Sequence, residues 1–363
     1  MTIQPGEAAH SLLARGLFLL TLIAVAPGAI AAGQTLQEVI FTEYGQLATN
    51  GEIARRVLSP LAAARLEAQL AQSGTTAAGT SINLADERFV VYVPAQRPPQ
   101  GYGCLVFVPP WQDARIPSGW AATLDKFGVI FVSAARSGNT EIVGRREPLA
   151  LLAAENIIRR YPIDPGRVYI GGFSGGARIA QRLALAYPDL FRGVILNAGS
   201  DPIGEADLSV PPRELLSRFQ TATHIVYLTG DRDTVQTSAD QVSMHALHHW
   251  CVSAVDSYVV PRLAHEVAPS EALSWALGRL RSDAAPDPAR VATCRAKLEA
   301  ELATRLQEVQ ALIAAGRSAE AQRLLQKVDG QFGGLAAPRS VELARLLSAL
   351  PEDPPQPADT ASQ

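Results

Sequence analysis

The sequence predicts an α/β fold, a mostly parallel sheet with helices on both faces, extended by a small α-helical appendage at the C-terminal side. Three observations carry this expectation. Short apolar, β-prone runs alternate with helical stretches between about Ser81 and Ser282. One such run, Val168-Tyr169-Ile170, feeds through Gly171-Gly172-Phe173-Ser174-Gly175-Gly176 directly into a helical pattern, so that a strand turns sharply into a helix around a serine. Downstream, Asp233 and His265 each follow the end of a further apolar run.

The N-terminus has the form of a secretory leader, expected over residues 1–31. Arg15 precedes the apolar run Gly16 to Ala26, which at 11 residues is far short of a bilayer span of roughly twenty. Pro27-Gly28 breaks the run, and Ala29-Ile30-Ala31 supplies a small-x-small cleavage site. Such a leader implies a periplasmic or secreted protein with no membrane span after cleavage. Residues 32–80 read as an N-terminal helical segment and linker. Thr35 to about Gln72 is helical by the spacing of Leu36, Val39, Ile40, Leu58, Leu61, Leu66 and Leu70, and Ser73 to Thr80 is a run of small residues.

Residues 81–282 read as the catalytic domain. Gly103 to Val108 is a strand ending in Pro109-Pro110-Trp111-Gln112. In the elbow, glycines tolerate the tight approach of strand and helix, and Ser174 is held at the tip of the turn, at a helix N-terminus that favours developing negative charge. A nucleophilic serine needs backbone donors for the oxyanion. The N–H of Gly175, next after the serine, is one expected donor. Prolines cannot donate, so Trp111 is the expected second donor; its indole either walls the acyl pocket or simply packs on the rim. Thr223 to Leu228 is a buried strand that ends in Thr229-Gly230-Asp231-Arg232-Asp233. Asp233 is the expected acid and Asp231 the alternative, a turn residue otherwise. Ser257 to Val260 is the last strand, and His265 follows in the loop before a helix that begins near Pro269-Ser270, which makes it the expected base. His224 opens a strand and reads as structural. His245 and His249 lie one helical turn apart but have no accompanying third ligand, so no metal and no organic cofactor is expected.

From about Phe89 to Leu280 the chain resembles an α/β-hydrolase, most similar to secreted esterases of the polyhydroxybutyrate-depolymerase and feruloyl-esterase type. The resemblance rests on Arg88-Phe89-Val90-Val91-Tyr92-Val93-Pro94, Ile163-Asp164-Pro165-Gly166-Arg167-Val168-Tyr169, the elbow, and Tyr187-Pro188-Asp189-Leu190-Phe191-Arg192-Gly193. It implies triad roles for Ser174, Asp233 and His265, and a small-molecule ester substrate. One departure stands. Such enzymes usually carry His-Gly after the third strand, where this chain has Pro109-Pro110. Two other readings share the motifs: a serine peptidase of the dipeptidyl-peptidase type, which usually carries a β-propeller for which no blade-like repeat is seen here, and a non-catalytic hydrolase-fold binding protein.

Residues 283–350 read as the helical appendage and 351–363 as a disordered proline-rich tail. Asp287 is a natural N-cap, Pro288 suits the first turn, and Leu298, Leu302, Leu306, Val309 and Ile313 form one stripe before Gly316. Helices follow at about Ala319 to Val328 and Ser340 to Leu347. Ala314 to Ala321 with Leu324 and Leu325 resembles half of a tetratricopeptide repeat, which makes a protein partner one possible use of these helices. Of the three cysteines, Cys104 reads as a buried core thiol, and an oxidising compartment would let Cys251 and Cys294 pair. The net charge of −3 offers no electrostatic case for nucleic acid or an anionic membrane.

Overall fold

The computed structural model describes Thr2 and residues 33–73, 78–205, 208–282 and 287–349. The leader expected over residues 1–31, the tail over 351–363 and the centres of both expected linkers lie outside the described residues. The elements run β1 (Gln34–Val39), α1 (Asn50–Val57), α2 (Pro60–Ser73), β2 (Phe89–Val93), β3 (Tyr102–Val108), α3 (Trp120–Phe127), β4 (Val129–Ala134), α4 (Val143–Arg160), β5 (Ile163–Phe173) and α5 (Gly175–Ala186). They continue through β6 (Gly193–Asn197), α6 (Arg213–Ala222), β7 (His224–Gly230), α7 (Thr234–His249), β8 (Val255–Val260), α8 (Ser270–Leu280), α9 (Pro288–Ala314), α10 (Ser318–Phe332) and α11 (Arg339–Ser348).

The strands form one eight-stranded sheet in the order β1-β2-β4-β3-β5-β6-β7-β8. β2 is antiparallel to both of its neighbours, and the pairings from β4 through β8 are all parallel. The central strands are buried on both faces, which is why they read as continuous apolar runs rather than alternating ones. In β3, Cys104, Val106 and Val108 join the core beneath α4 and α5, while Leu105 and Phe107 join the core beneath α3 and α8. This is the α/β-hydrolase fold. Every parallel strand delivers its C-terminal end to one edge of the sheet, where ligands of open α/β sheets bind.

The helical reading of Thr35 onward is corrected at its start, because Gln34–Val39 is an edge strand on β2. The pairing register shifts between Leu36 and Val39, and Glu38 takes φ +50° there. The bulge turns both Leu36 and Val39 inward, so a strand acquires the three-residue apolar spacing of a helix. After a short 3-10 turn at Gln46–Ala48, α-helix begins only at Asn50, with the Thr49 side chain accepting from Glu52 N–H.

These N-terminal helices join the core to the appendage. Arg56 of α1 is buried, bonds Asp189 at 2.6 Å and lies 4.5 Å over the Tyr187 ring. At the start of α2, the Leu61 N–H donates to Asp329 of α10 at 3.2 Å. In the appendage, Asp287 accepts from Ala289 N–H at 3.0 Å, and Gly316 takes φ +71° just past α9. Leu298, Leu302, Val309, Leu325, Phe332 and Leu343 share one apolar cluster with the α4 and α5 face of the sheet. Cys251 and Cys294 form a disulfide that ties α9 to the end of α7. Among the described residues, no helix is long and apolar enough to cross a membrane.

Candidate active site

The strand-to-helix turn between β5 and α5 is crowded to the point where only glycine fits. A Cβ on Gly172 would lie 2.4 Å from the Gly176 carbonyl carbon, and one on Gly176 would lie 2.0 Å from Val108 O. Between them Ser174 adopts φ +55° and ψ −124°, a conformation L-residues avoid at a cost of order 1–3 kcal/mol. Its N–H is held by Asn197 O at 2.9 Å, and Gly199 approaches so closely that a Cβ there would lie 2.2 Å from Ser174 O. The turn is thus clamped from two sides, and the hydroxyl stands at the N-terminus of α5.

His265 arrives from the loop after β8. Its Nε2 lies 2.9 Å from Ser174 Oγ and its Nδ1 2.6 Å from Asp233 Oδ2. The Asp233 carboxylate accepts only, so Nδ1 carries the proton and Nε2 is left as the acceptor for the serine hydroxyl. The His265 side chain is 43 % exposed and Asp233 is 8 % exposed, which opens the serine side to solvent and keeps the acid side dry. Asp233 also caps α7, accepting from Gln236 N–H at 3.4 Å, where the helix dipole favours its charge. Asp231, the alternative acid, is exposed and donates its own N–H to Val260 O, so the two aspartates of this loop are separated by geometry. The acid and base loops are stitched together, with Arg232 N–H on Leu263 O at 3.0 Å and no room for a Cβ on Gly230 against that same oxygen. His224 opens β7 and bonds Asp256 of β8 at 2.6 Å.

Of the two expected oxyanion donors, Gly175 is the first residue of α5, among the N–H groups that a helix leaves open. The side chain of Asn139 lies against it, since a Cβ on Gly175 would be 2.4 Å from Asn139 Oδ1. Trp111 leaves β3 in the loop opposite. Its ring packs 6.2 Å from Phe173, which in turn packs 5.0 Å from the His265 ring, and the Arg115 guanidinium lies 4.4 Å over the indole. Trp111 therefore packs in one aromatic row with Phe173 and His265. His245 and His249 share α7, and among the described residues no group of three or more His, Cys, Asp or Glu is placed to hold a metal.

Several residues of the site escaped sequence reasoning. Asn197 is fully buried at the end of β6. Its backbone carbonyl holds Ser174 N–H, while its side chain donates from Nδ2 to Leu228 O of β7 at 2.9 Å and accepts at Oδ1 from Ala268 N–H at 2.7 Å, so one residue ties the serine turn, β7 and the segment after His265 together. A polar residue closing the apolar run Gly193-Val194-Ile195-Leu196 was its only signal. Asp240 of α7 is buried, accepts from Ser200 at 2.6 Å and from Thr229, and burial pushes its carboxyl up from the ordinary range.

No protein-family model matches the chain, and no curated protein matches it in sequence. Solved structures do resemble it. A candidate dipeptidyl aminopeptidase IV from Bacteroides ovatus superposes with a TM-score of 0.39 at 17% identity, over 53% of this chain and 33% of that one. The chain thus spans about a third of that protein's length. An S-formylglutathione hydrolase from Staphylococcus aureus gives 0.43 at 11% identity, over 53% of this chain and 92% of that one. A ferulic acid esterase gives 0.40 at 15% identity, over 53% and 89%. The fold is read from the strand order and pairing.

Proposed function

We propose that this protein is a serine hydrolase that cleaves carboxylic esters by two-step acyl transfer. The observation that carries the reading is the continuous relay from Ser174 Oγ through His265 to Asp233, with spacings of 2.9 and 2.6 Å, on a backbone that strains to present the serine.

In the first step Ser174 Oγ attacks the ester carbonyl carbon while His265 Nε2 takes its proton. Asp233 keeps the ring in the productive tautomer and stabilises the imidazolium. Negative charge builds on the carbonyl oxygen, where the N–H groups of Gly175 and Trp111 receive it. His265 then protonates the leaving alkoxide, and the alcohol departs. Water enters, His265 removes its proton, and the acyl-enzyme collapses to the acid and free Ser174. Trp111 and Phe173 line the approach with flat apolar faces, which favours an unbranched or planar acyl group. The Cys251–Cys294 disulfide supports an oxidising compartment and so export of the chain.

Labelling with a fluorophosphonate probe, with Ser174→Ala and His265→Ala alongside, tests the reading. Wild-type labelling that disappears in both variants is expected, together with release of p-nitrophenol from short acyl esters. A folded wild type that does not label removes the catalytic reading. Turnover of dipeptide p-nitroanilides in preference to esters would replace it with the peptidase reading.

A further inference from the structure

α4 begins with three charged residues that are treated differently. Arg145 pairs with Glu87 at 2.6 Å and Glu147 with Arg182 at 2.6 Å. Arg146, between them, is 5 % exposed, and among the described residues no carboxylate pairs with it. Its guanidinium donates to two backbone carbonyls, Nε to Ser137 O at 2.8 Å and Nη2 to Pro109 O at 3.0 Å. A buried cation that makes no ion pair is costly, with only Glu141 acting on it at longer range, and its place in the first turn of a helix sets it against the dipole as well. A position that breaks both rules is where function is expected.

The carbonyls it holds belong to the loop that follows β3 and to the loop that follows β4. The second loop grips the first at two further points: Asn139 N–H donates to Pro110 O at 2.9 Å and Arg136 N–H to Gln112 O at 2.6 Å. The carbonyls of Pro109, Pro110 and Gln112 are therefore all committed on that side. In a trans peptide the C=O and the following N–H point in opposite directions. The Pro110 carbonyl faces Asn139, so the N–H of Trp111, in the same peptide plane, faces away from it. Pro109 and Pro110 have no N–H of their own, and nothing on their amide side can hold the loop. Its conformation depends on what grips the carbonyls.

We propose that Arg146 is a positioning residue for the oxyanion loop: it fixes the Pro109 and Ser137 carbonyls so that the Trp111 N–H is presented to the developing oxyanion. This role rests on the serine-hydrolase reading above. It explains how a Pro-Pro loop can serve where related enzymes use His-Gly.

The test measures kcat and KM on p-nitrophenyl acetate, and the inhibition constant of a phenylboronic acid as a tetrahedral mimic, for wild type, Arg146→Lys and Arg146→Met. Rates are normalised to sites titrated with the fluorophosphonate. Arg146→Met should lose on the order of 10²–10³-fold in kcat, the effect of losing one oxyanion donor, with KM nearly unchanged and boronate affinity falling in parallel. Arg146→Lys, which keeps the charge and a donor, should fall between the two. A purely structural role would lower the melting temperature and the fraction of titratable sites but leave kcat per site alone. A folded Arg146→Met with kcat within about threefold of wild type overturns the proposal. Should that variant not fold, Arg146→Gln takes its place, since a neutral amide cannot span the Ser137 and Pro109 carbonyls as the forked guanidinium does. The same parallel loss is expected there, and its absence is equally decisive. A wild type that neither labels nor turns over removes the hydrolase reading and this role together, whereas an active wild type with indifferent variants removes this role alone.

Discussion

Replacing Ser174 separates the strain at the elbow from the chemistry it serves. Ser174 sits at φ +55° and ψ −124°, outside the regions open to residues with a Cβ. Ala keeps the Cβ and hence the strain, of order 1–3 kcal/mol. Gly removes the strain but gives up roughly 0.5–1 kcal/mol through the greater freedom of the unfolded chain. The balance makes Ser174→Gly more stable than Ser174→Ala by up to about 2.5 kcal/mol and by roughly 1 kcal/mol at mid-range, the reverse of the usual order. With an unfolding entropy near 2.1 cal/mol/K per residue, a chain of 363 residues has about 0.75 kcal/mol/K. The gap then corresponds to roughly 1 °C at mid-range and about 3 °C at most in melting temperature. Paired calorimetric scans resolve a difference of that size, and urea midpoints give it independently. An alanine variant as stable as the glycine variant, or more so, would refute the claim that the backbone stores strain here.

Asp233→Asn should preserve the fold and lower kcat on p-nitrophenyl acetate by roughly 10⁴-fold, since an amide no longer selects the tautomer that leaves Nε2 free. Glu52 is held at a pKa of about 2, chiefly by its hydrogen bond with Arg55 and, against the opposing effect of burial, by Arg56. A depressed carboxyl stabilises the fold above its unfolded pKa, so Glu52→Gln should lower stability at neutral pH. The difference should close as the pH falls from the ordinary carboxyl value of 4.5 to about 2, read as urea midpoints across that range. The disulfide spans a separation of 43 residues, so Cys294→Ser should cost up to about 4 kcal/mol in the chain-entropy model. Burial pushes the Cys104 thiol up to about 12. Native protein should therefore react with no thiol reagent, and denatured, non-reduced protein should show a single thiol by titration.

The parts of the site that were legible in the sequence are those whose signals are local. The run into Ser174 and the loops after β7 and β8 each announce strand, turn and functional residue within about ten positions of one another. The bulge at Glu38 defeated the same logic, because it gave an edge strand a helical spacing. Asn197 and Arg146 were illegible for a different reason. Their partners lie 71 and 37 positions away, at Ala268 and Pro109, and only the folded sheet brings them within hydrogen-bond reach. The choice between Asp231 and Asp233 likewise fell to the way the acid loop docks on Leu263.

The bond from Leu61 to Asp329 joins positions 268 apart. A ribosome, or a secretion channel, releases the chain from its N-terminal end, so Leu61 emerges long before its partner exists. The second helix must wait, with its apolar face uncovered, until nearly all of the chain has been delivered. Closure of so long a loop is slow and comes late. A chain interrupted before α10 would leave α2 without its cover even though Ser174, Asp233 and His265 had all been made. Completion of the fold is thereby tied to completion of synthesis, and unfinished chains carry an exposed surface of the sort that holding chaperones and proteases act upon.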